Sequence, residues 1–183
     1  ESRDVLIFTL GLTEAWISAR DGAVFPFARG AVAEGGDEAG QVFHNFTVEE
    51  MTADLNRFIA ALREVNPGVK LVLTVSPVPL IATYEPRHVL VSTAYSKAAL
   101  RVTADQVSRS VAGVAYFPSF EIITGPQARG AYFAADLREV TQEGVDLVRD
   151  IFARHFLTEE DDDDSARHDQ MAGIICDEDL LDL

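Results

Sequence analysis

The chain has 183 residues, of which 48% are hydrophobic, enough to bury one domain-sized core but not two. Its formal net charge is -15, and residues 158 to 183 hold 11 of the 30 acidic residues but one of the 15 lysines and arginines. Because phosphate binding relies on clustered cations, this composition argues against nucleic acid and anionic membranes as partners.

The first predicted element is a strand. VLIFTL at residues 5 to 10 is a continuous β-branched and apolar run, the pattern of a strand buried on both faces of a parallel sheet. WISARDGAVFPF follows, and Asp21-Gly22 between its apolar arms predicts a small hairpin. A Gly-rich loop, RGAVAEGGDEAGQ, then leads to the next element.

A helix comes next, with Thr47 and Glu50 in capping-box register at its start and Asn66-Pro67-Gly68 at its end. Its apolar residues share one stripe, which predicts a buried face made of Met51, Leu55, Phe58, Ile59, Leu62 and Val65.

The second half of the chain predicts two more strands and two more helices. KLVLTV at 70 to 75 predicts the second strand of the sheet and VAYFP at 114 to 118 a shorter third one. A helix is predicted over 93 to 111, and a last helix begins at Thr141.

The order strand, hairpin, helix, strand, helix, strand, helix is typical of an α/β domain with a mostly parallel sheet. Three strands make a thin sheet with open edges, and the first strand has the pattern of a central one. We therefore expect an N-terminal part of the domain to be missing from this chain. Residues 1 to 157 are predicted to form that partial domain, and residues 158 to 183 an acidic tail that is disordered or binds a protein partner.

Several classes of site and location are not indicated. The single cysteine, Cys176, excludes an intrachain disulfide, and there is no phosphate-binding Gly-rich motif or His/Cys metal spacing. No apolar run approaches the roughly 20 residues of a membrane span, and the first ten residues lack a signal-peptide layout. We expect a cytoplasmic protein with no cofactor, no metal, no nucleic acid and no membrane partner.

Five phrases in order carry a resemblance to a known family. They are TLGLTEAW at 9 to 16, HNFT at 44 to 47, TVSPVPLIAT at 74 to 83, YSKAALR at 95 to 101 and YFPSFEI at 116 to 122. Together they resemble the GSCFA family, a branch similar to the SGNH hydrolases, over roughly residues 4 to 157. The resemblance implies a three-layer flavodoxin-like fold in which a serine attacks an ester carbonyl.

The family's G-S-C-F-A phrase, which holds that serine, is absent from these 183 residues. The resemblance therefore implies a nucleophile upstream of this chain. In the wider superfamily a G-x-N-D phrase after a central strand donates hydrogen bonds to the oxyanion, and Gly11 and Thr13 stand at its Gly and Asn positions. The Thr13 hydroxyl can donate one hydrogen bond. Alternatively, Thr13 and Glu14 cap a helix turn that enters Ala15-Trp16.

The last block of the superfamily is D-x-x-H, in which Asp orients a His that acts as general base. DLREVTQEG matches it with Asp136 and Gly144 but has Glu139 at the His position. A carboxylate of ordinary pKa, about 4.3, is a weak base at neutral pH unless burial raises that value. Alternatively, Glu139 points to solvent and the segment only precedes a helix.

His44, in the HNFT phrase, is a further candidate base, and its alternative is a hydrogen-bonded structural role. Ser76 lacks a G-x-S-x-G context and indicates a turn. Ser96 and Lys97 resemble a Ser-Lys catalytic dyad only as neighbours in the sequence, because adjacent helix residues do not face one another.

The resemblance implies an esterase or acyltransferase acting on an ester, and the wider superfamily suggests an acylated carbohydrate as its substrate. A catalytically inactive binding module is the alternative, favoured by Glu139. A fragment that is stable only with another strand at its sheet edge is a third reading.

Overall fold

The computed structural model of the protein describes residues 4–25 and 40–157. The described chain divides into two units between Arg149 and Asp150. In the second unit the rings of Phe152 and Phe156 stack with centroids 4.7 Å apart. The predicted acidic tail and most of the predicted Gly-rich loop lie outside the described residues.

Six strands and four helices run through the described residues. In chain order they are β1 Val5–Leu10, β2 Glu14–Ser18, β3 Val24–Phe25, β4 Gln41–Asn45, α1 Val48–Val65, β5 Lys70–Val75, α2 Val89–Ser110, β6 Val114–Phe117, α3 Ser119–Thr124 and α4 Gln142–Phe156.

Strands β1, β5 and β6 form a parallel sheet in that order, which confirms the predicted sheet and its three strands. Its centre is β5, where Leu71, Leu73 and Val75 are at most 1% exposed. These side chains share one core with Ile59 of α1 and Val107 of α2, among others. The two helices therefore cover one face of the sheet, as expected for βαβ crossovers.

The prediction that β1 is buried on both faces is wrong. Leu10 is buried, but Val5 and Ile7 are more than half exposed and Phe8 is 36% exposed. The physical reason is position, because among the described strands β1 lies at the sheet edge and pairs with β5 alone. Val5 and Ile7 also point to the face opposite the core residue Leu10, and the described residues leave that face open.

A second, antiparallel sheet has the order β3-β2-β4. The predicted hairpin at Asp21-Gly22 is confirmed, since β2 pairs with β3 and Gly22 has the positive φ of 74° that its turn requires. Strand β4, which pairs with the whole of β2, was not predicted.

Helix α1 has the predicted capping box. The Thr47 hydroxyl accepts from the Glu50 N–H at 3.3 Å, and the Glu50 carboxylate accepts from the Thr47 N–H at 2.8 Å. Of its predicted buried stripe, Leu55 and Ile59 are buried, whereas Val65 is 86% exposed. Val65 is the last residue of α1, where the helix ends.

Helix α2 begins at Val89, four residues earlier than predicted. His88 caps it, with Nδ1 accepting the Leu90 N–H at 3.2 Å. Helix α4 begins at Gln142, next to the predicted Thr141, whose hydroxyl accepts the Gly144 N–H at 3.3 Å.

The chain is thus a mixed α/β protein with a parallel three-stranded sheet and four helices. Among the described residues, no helix has the length and apolar character that crossing a bilayer needs.

Candidate functional site

The carboxyl end of β1 leads into a turn, residues 11–13, that two side chains of α2 hold in place. The Ser96 hydroxyl accepts the Thr13 N–H at 3.0 Å, and Lys97 Nζ donates to the Gly11 carbonyl oxygen at 2.8 Å. Ser96 and Lys97 thus reach the same turn at points two residues apart. This Gly11 turn lies at the carboxyl edge of the parallel sheet, where ligand sites of open α/β sheets are found.

Thr13 is 1% exposed, and its hydroxyl donates to Asn45 Oδ1 at 2.7 Å. The Asn45 amide in turn donates to Glu85 Oε1 at 2.9 Å. To donate to an oxyanion, the Thr13 hydroxyl must leave Asn45, so the predicted role of Thr13 stays a prediction.

The alternative that Thr13 and Glu14 cap a helix is wrong, because Glu14 opens β2 and pairs with Asn45 of β4. The Glu14 carboxylate accepts hydrogen bonds from the Thr83 hydroxyl at 2.5 Å and the Tyr84 N–H at 3.3 Å. These bonds tie the segment that follows β5 to the strand that follows the Gly11 turn.

Sequence reasoning considered Lys97 only as the neighbour of Ser96 and missed its role at this site. It is 4% exposed, and it makes no ion pair with any described carboxylate. Burial lowers the pKa of its ammonium to about 8. The sequence did single out Lys97, because it is one of two lysines in the chain and lies among apolar α2 residues. A helical pattern alone, however, does not show which carbonyl oxygen a lysine reaches.

An apolar cleft of about 390 Å³, which we call the β1 cleft, opens beside the Gly11 turn. Its walls include Phe8, Leu12, Phe46 and Phe58. A Cβ added to Gly11 would meet no atom within 4 Å, so the Gly11 backbone faces open space. The volume is within the range of small-molecule sites.

A larger cleft of about 640 Å³, which we call the α2 cleft, lies where the segments after β5 and β6 meet α2. Its lining is mostly apolar and includes Pro77, Ala98, Phe120 and Leu137, with Lys97 on the helix wall. Leu137 brings the DLREVTQEG segment to this edge of the sheet.

Within that segment, the Asp136 carboxylate is occupied by its own loop. Oδ1 accepts the backbone N–H groups of Arg138 and Glu139, each at 3.0 Å, and these bonds hold the pKa of Asp136 below its ordinary value. Leu137, which lies between Asp136 and Arg138 in the chain, has the left-handed φ of 57°. Glu139 is exposed, so the structure does not bring Asp136 and Glu139 together as a pair of side chains.

Gly144, the last match to the block, has a packing role. A Cβ there would lie 2.9 Å from Tyr132 Cβ and from Val140 Cγ1, and 3.1 Å from Ile123 Cδ1. Only glycine allows this close approach of α4 to the preceding loop.

The structure does form a histidine–carboxylate pair, at His44. Its Nε2 lies 3.1 Å from both carboxylate oxygens of Glu50, and its ring packs edge-on against Phe46. The Thr47 N–H, and then His44, hold the pKa of Glu50 below its ordinary value. A cleft of about 380 Å³ beside His44 shares Phe46 and Asp54 with the β1 cleft.

The remaining candidates have structural roles. The Ser76 hydroxyl accepts the Val78 N–H at 3.2 Å, which confirms the predicted turn. Two arginines near this edge also have structural partners, since Arg101 pairs with Asp105 and Glu121 and the Arg87 guanidinium lies over the Tyr95 ring. Over the described ranges, no three His, Cys, Asp or Glu residues cluster in a way that would hold a metal.

Comparison with protein-family models places the chain in a known family. The model of the GSCFA family matches residues 1–152. No curated protein and no solved structure gives a significant match to the chain.

Proposed function

The chain belongs to the GSCFA family, and we propose that the protein is an esterase or O-acyltransferase related to the SGNH hydrolases. Its substrate is an ester, and an acylated carbohydrate is the class that this relationship suggests. The site comprises the Gly11 turn, the β1 cleft and the His44–Glu50 pair.

The observation that carries the proposal is the bond from Lys97 to the Gly11 carbonyl. A cation donating to a carbonyl oxygen polarises that peptide unit, which makes the N–H on its other side a stronger donor. That N–H belongs to Leu12, and it has no acceptor among the described residues. A fixed, polarised N–H beside an open cleft is the arrangement that stabilises an oxyanion.

His44 is the general base of this proposal, in preference to Glu139. A neutral imidazole has one ring nitrogen that can accept a proton, and a carboxylate partner such as Glu50, bonded to the other ring nitrogen, fixes its orientation. Asp136 accepts hydrogen bonds from backbone N–H groups, so its carboxylate is not placed to orient a base, and Glu139 is solvent-exposed, so it is not placed to act as one.

The nucleophile is a serine on a strand that pairs with the open edge of β1. Val5, Ile7 and Thr9 present backbone groups that the described strands do not pair, and an added strand would end beside Gly11. This serine would bond to the acyl carbon, its proton would pass to His44, and the Leu12 N–H would stabilise the oxyanion. The alcohol leaves with that proton, and water or a second alcohol then takes the acyl group.

A second candidate is a binding module without catalysis. The hydrogen bonds from Arg138 and Glu139 to Asp136 favour it, because they satisfy the carboxylate that an active block would use to orient a histidine.

The test is release of p-nitrophenol from p-nitrophenyl acetate by the full-length protein. We expect His44→Gln to lower kcat at least a hundredfold. Asp136→Asn should keep kcat within a few-fold of the wild-type value, and His155→Gln, at an exposed position of α4, should match the wild type. Loss with Asp136→Asn but not with His44→Gln would move the base to the DLREVTQEG segment. Folded protein with no turnover of any ester tested would favour the binding module.

A further inference from the structure

The α2 cleft has the composition of a site for an amphiphilic ligand. One face of α2 lines it at helical spacing, through Leu90, Ala94, Lys97 and Ala98, and Phe120 and Phe133 lie across from that face. Its volume of about 640 Å³ accommodates a small organic molecule. The lining is mostly apolar, and its polar side chains are Thr93, Lys97 and Arg101 on α2 and Thr124 on α3.

Lys97 is the feature of this cleft that packing does not explain. Nζ has three N–H donors, and its single hydrogen-bond partner among the described residues is the neutral Gly11 carbonyl. A buried ammonium without a counter-charge is destabilising, and a hydrophobic residue of similar volume would avoid that cost. A ligand that brings a negative charge would remove it.

The other charged side chain that lines the cleft is already paired. Arg101, one turn along α2, pairs with Glu121 of α3 and Asp105, and it stacks on the Tyr116 ring of β6. Lys97 is thus the cation of this cleft that lacks a described carboxylate partner.

We infer that the α2 cleft binds a small amphiphilic anion, with its apolar part against α2 and α3 and its carboxylate against Lys97. Arg101, although paired, adds positive potential at the same wall. A neutral ligand of the same shape would gain the apolar contacts but leave the buried ammonium without a partner. Lys97 also holds the Gly11 turn of the proposed active site, but the α2 cleft is separate from the β1 cleft, and octanoate binding is measured without any esterase readout.

The test uses octanoate as the anionic probe and 1-octanol as its neutral counterpart. Because the chain contains two lysines, protein carrying lysine labelled with carbon-13 at Cε gives two such NMR signals, one each from Lys97 and the exposed Lys70. We expect octanoate to shift the Lys97 signal, to raise its titration midpoint and to leave Lys70 unchanged. Octanol should bind at least ten times more weakly.

Three variants make the test specific. Lys97→Met should weaken octanoate binding at least tenfold, and Lys70→Met should not change it. Ala98→Trp, at an exposed position of α2, fills the cleft while keeping Lys97 and should also abolish binding. The inference is overturned if octanoate leaves the Lys97 signal unmoved, binds no better than octanol, or binds Lys97→Met as tightly as wild type.

Discussion

Lys97 Nζ lies 2.8 Å from the carbonyl oxygen of Gly11, so a helix in the middle of the chain fixes the turn at the end of its first strand. Ser96 holds Thr13 of the same turn through its N–H. Two neighbouring residues of α2 therefore determine the position of the backbone that we propose stabilises an oxyanion. The charge on Lys97 also makes this arrangement costly, because burial removes the ammonium from water.

Lys97→Met is expected to stabilise the protein at pH 7 by about 1–2 kcal/mol, since it removes a buried charge and loses one hydrogen bond. The folded-state pKa is about 8 and the ordinary value is 10.5. Below pH 8 the lysine is charged in both states, so its cost is fully present. Between those values the folded lysine becomes neutral first, so the advantage of methionine decreases as pH rises.

Urea unfolding at pH 6 to 10 measures this difference, with Lys70→Met as the exposed control. A Lys97→Met protein that is less stable than wild type at pH 7, or a difference independent of pH, would show that the ammonium has a counter-charge in solution.

Gly11→Ala separates folding from chemistry. A methyl group there meets no atom within 4 Å, and Gly11 does not have a positive φ, so the free energy of unfolding should be unchanged or higher by up to about 1 kcal/mol. The same methyl group would occupy the space where an oxyanion must lie against the Leu12 N–H. We expect at least a tenfold loss of esterase activity without loss of stability.

The matched control is Gly40→Ala, where an added Cβ also meets no atom. Equal activity in Gly11→Ala and wild type would exclude an oxyanion at this turn.

Thr13→Val tests the buried hydrogen bond to Asn45. The substitution keeps the side-chain shape but leaves Asn45 Oδ1 without its donor, which should lower the free energy of unfolding by about 1–3 kcal/mol. Thr52→Val removes a solvent-exposed hydroxyl bond to Gln106 and should change it by less than about 0.5 kcal/mol. Similar losses in the two variants would mean that the Thr13 network is open to water.

Gly144→Ala tests the packing role of the last residue that matches the catalytic block. Its Cβ would lie 2.9 Å from Tyr132 and Val140, so we expect destabilisation of about 1–3 kcal/mol, measured by thermal and urea unfolding. Esterase activity per folded molecule should stay at the wild-type level. A stable variant that had lost activity would instead indicate a catalytic role for this position.

Much of the fold could be predicted from local patterns. The β-branched runs gave the three parallel strands, Asp21-Gly22 gave the hairpin, and Thr47 with Glu50 gave the start of α1. Strand β4 was missed because QVFHN is short and follows a Gly-rich loop, and it forms through pairing with β2 rather than through propensity. The exposure of β1 also depends on which strands lie beside it, which its own sequence does not state.

The site could be predicted in part. The end of β1 was identified through the Gly11 phrase, and His44 was among the candidates. Lys97 was considered only beside Ser96, and its role was missed because it depends on a carbonyl 86 residues away. The backbone bonds to Asp136 depend on the left-handed conformation of Leu137, an unusual one for leucine that the sequence does not indicate.

The central claim is that the Gly11 turn belongs to the active site of a serine esterase, and fluorophosphonate labelling of the full-length protein tests it most directly. We predict one adduct, located by peptide mass spectrometry on a serine outside the described residues, and a loss of labelling in both His44→Gln and Gly11→Ala. No adduct on folded protein, or labelling that neither substitution reduces, would contradict the account.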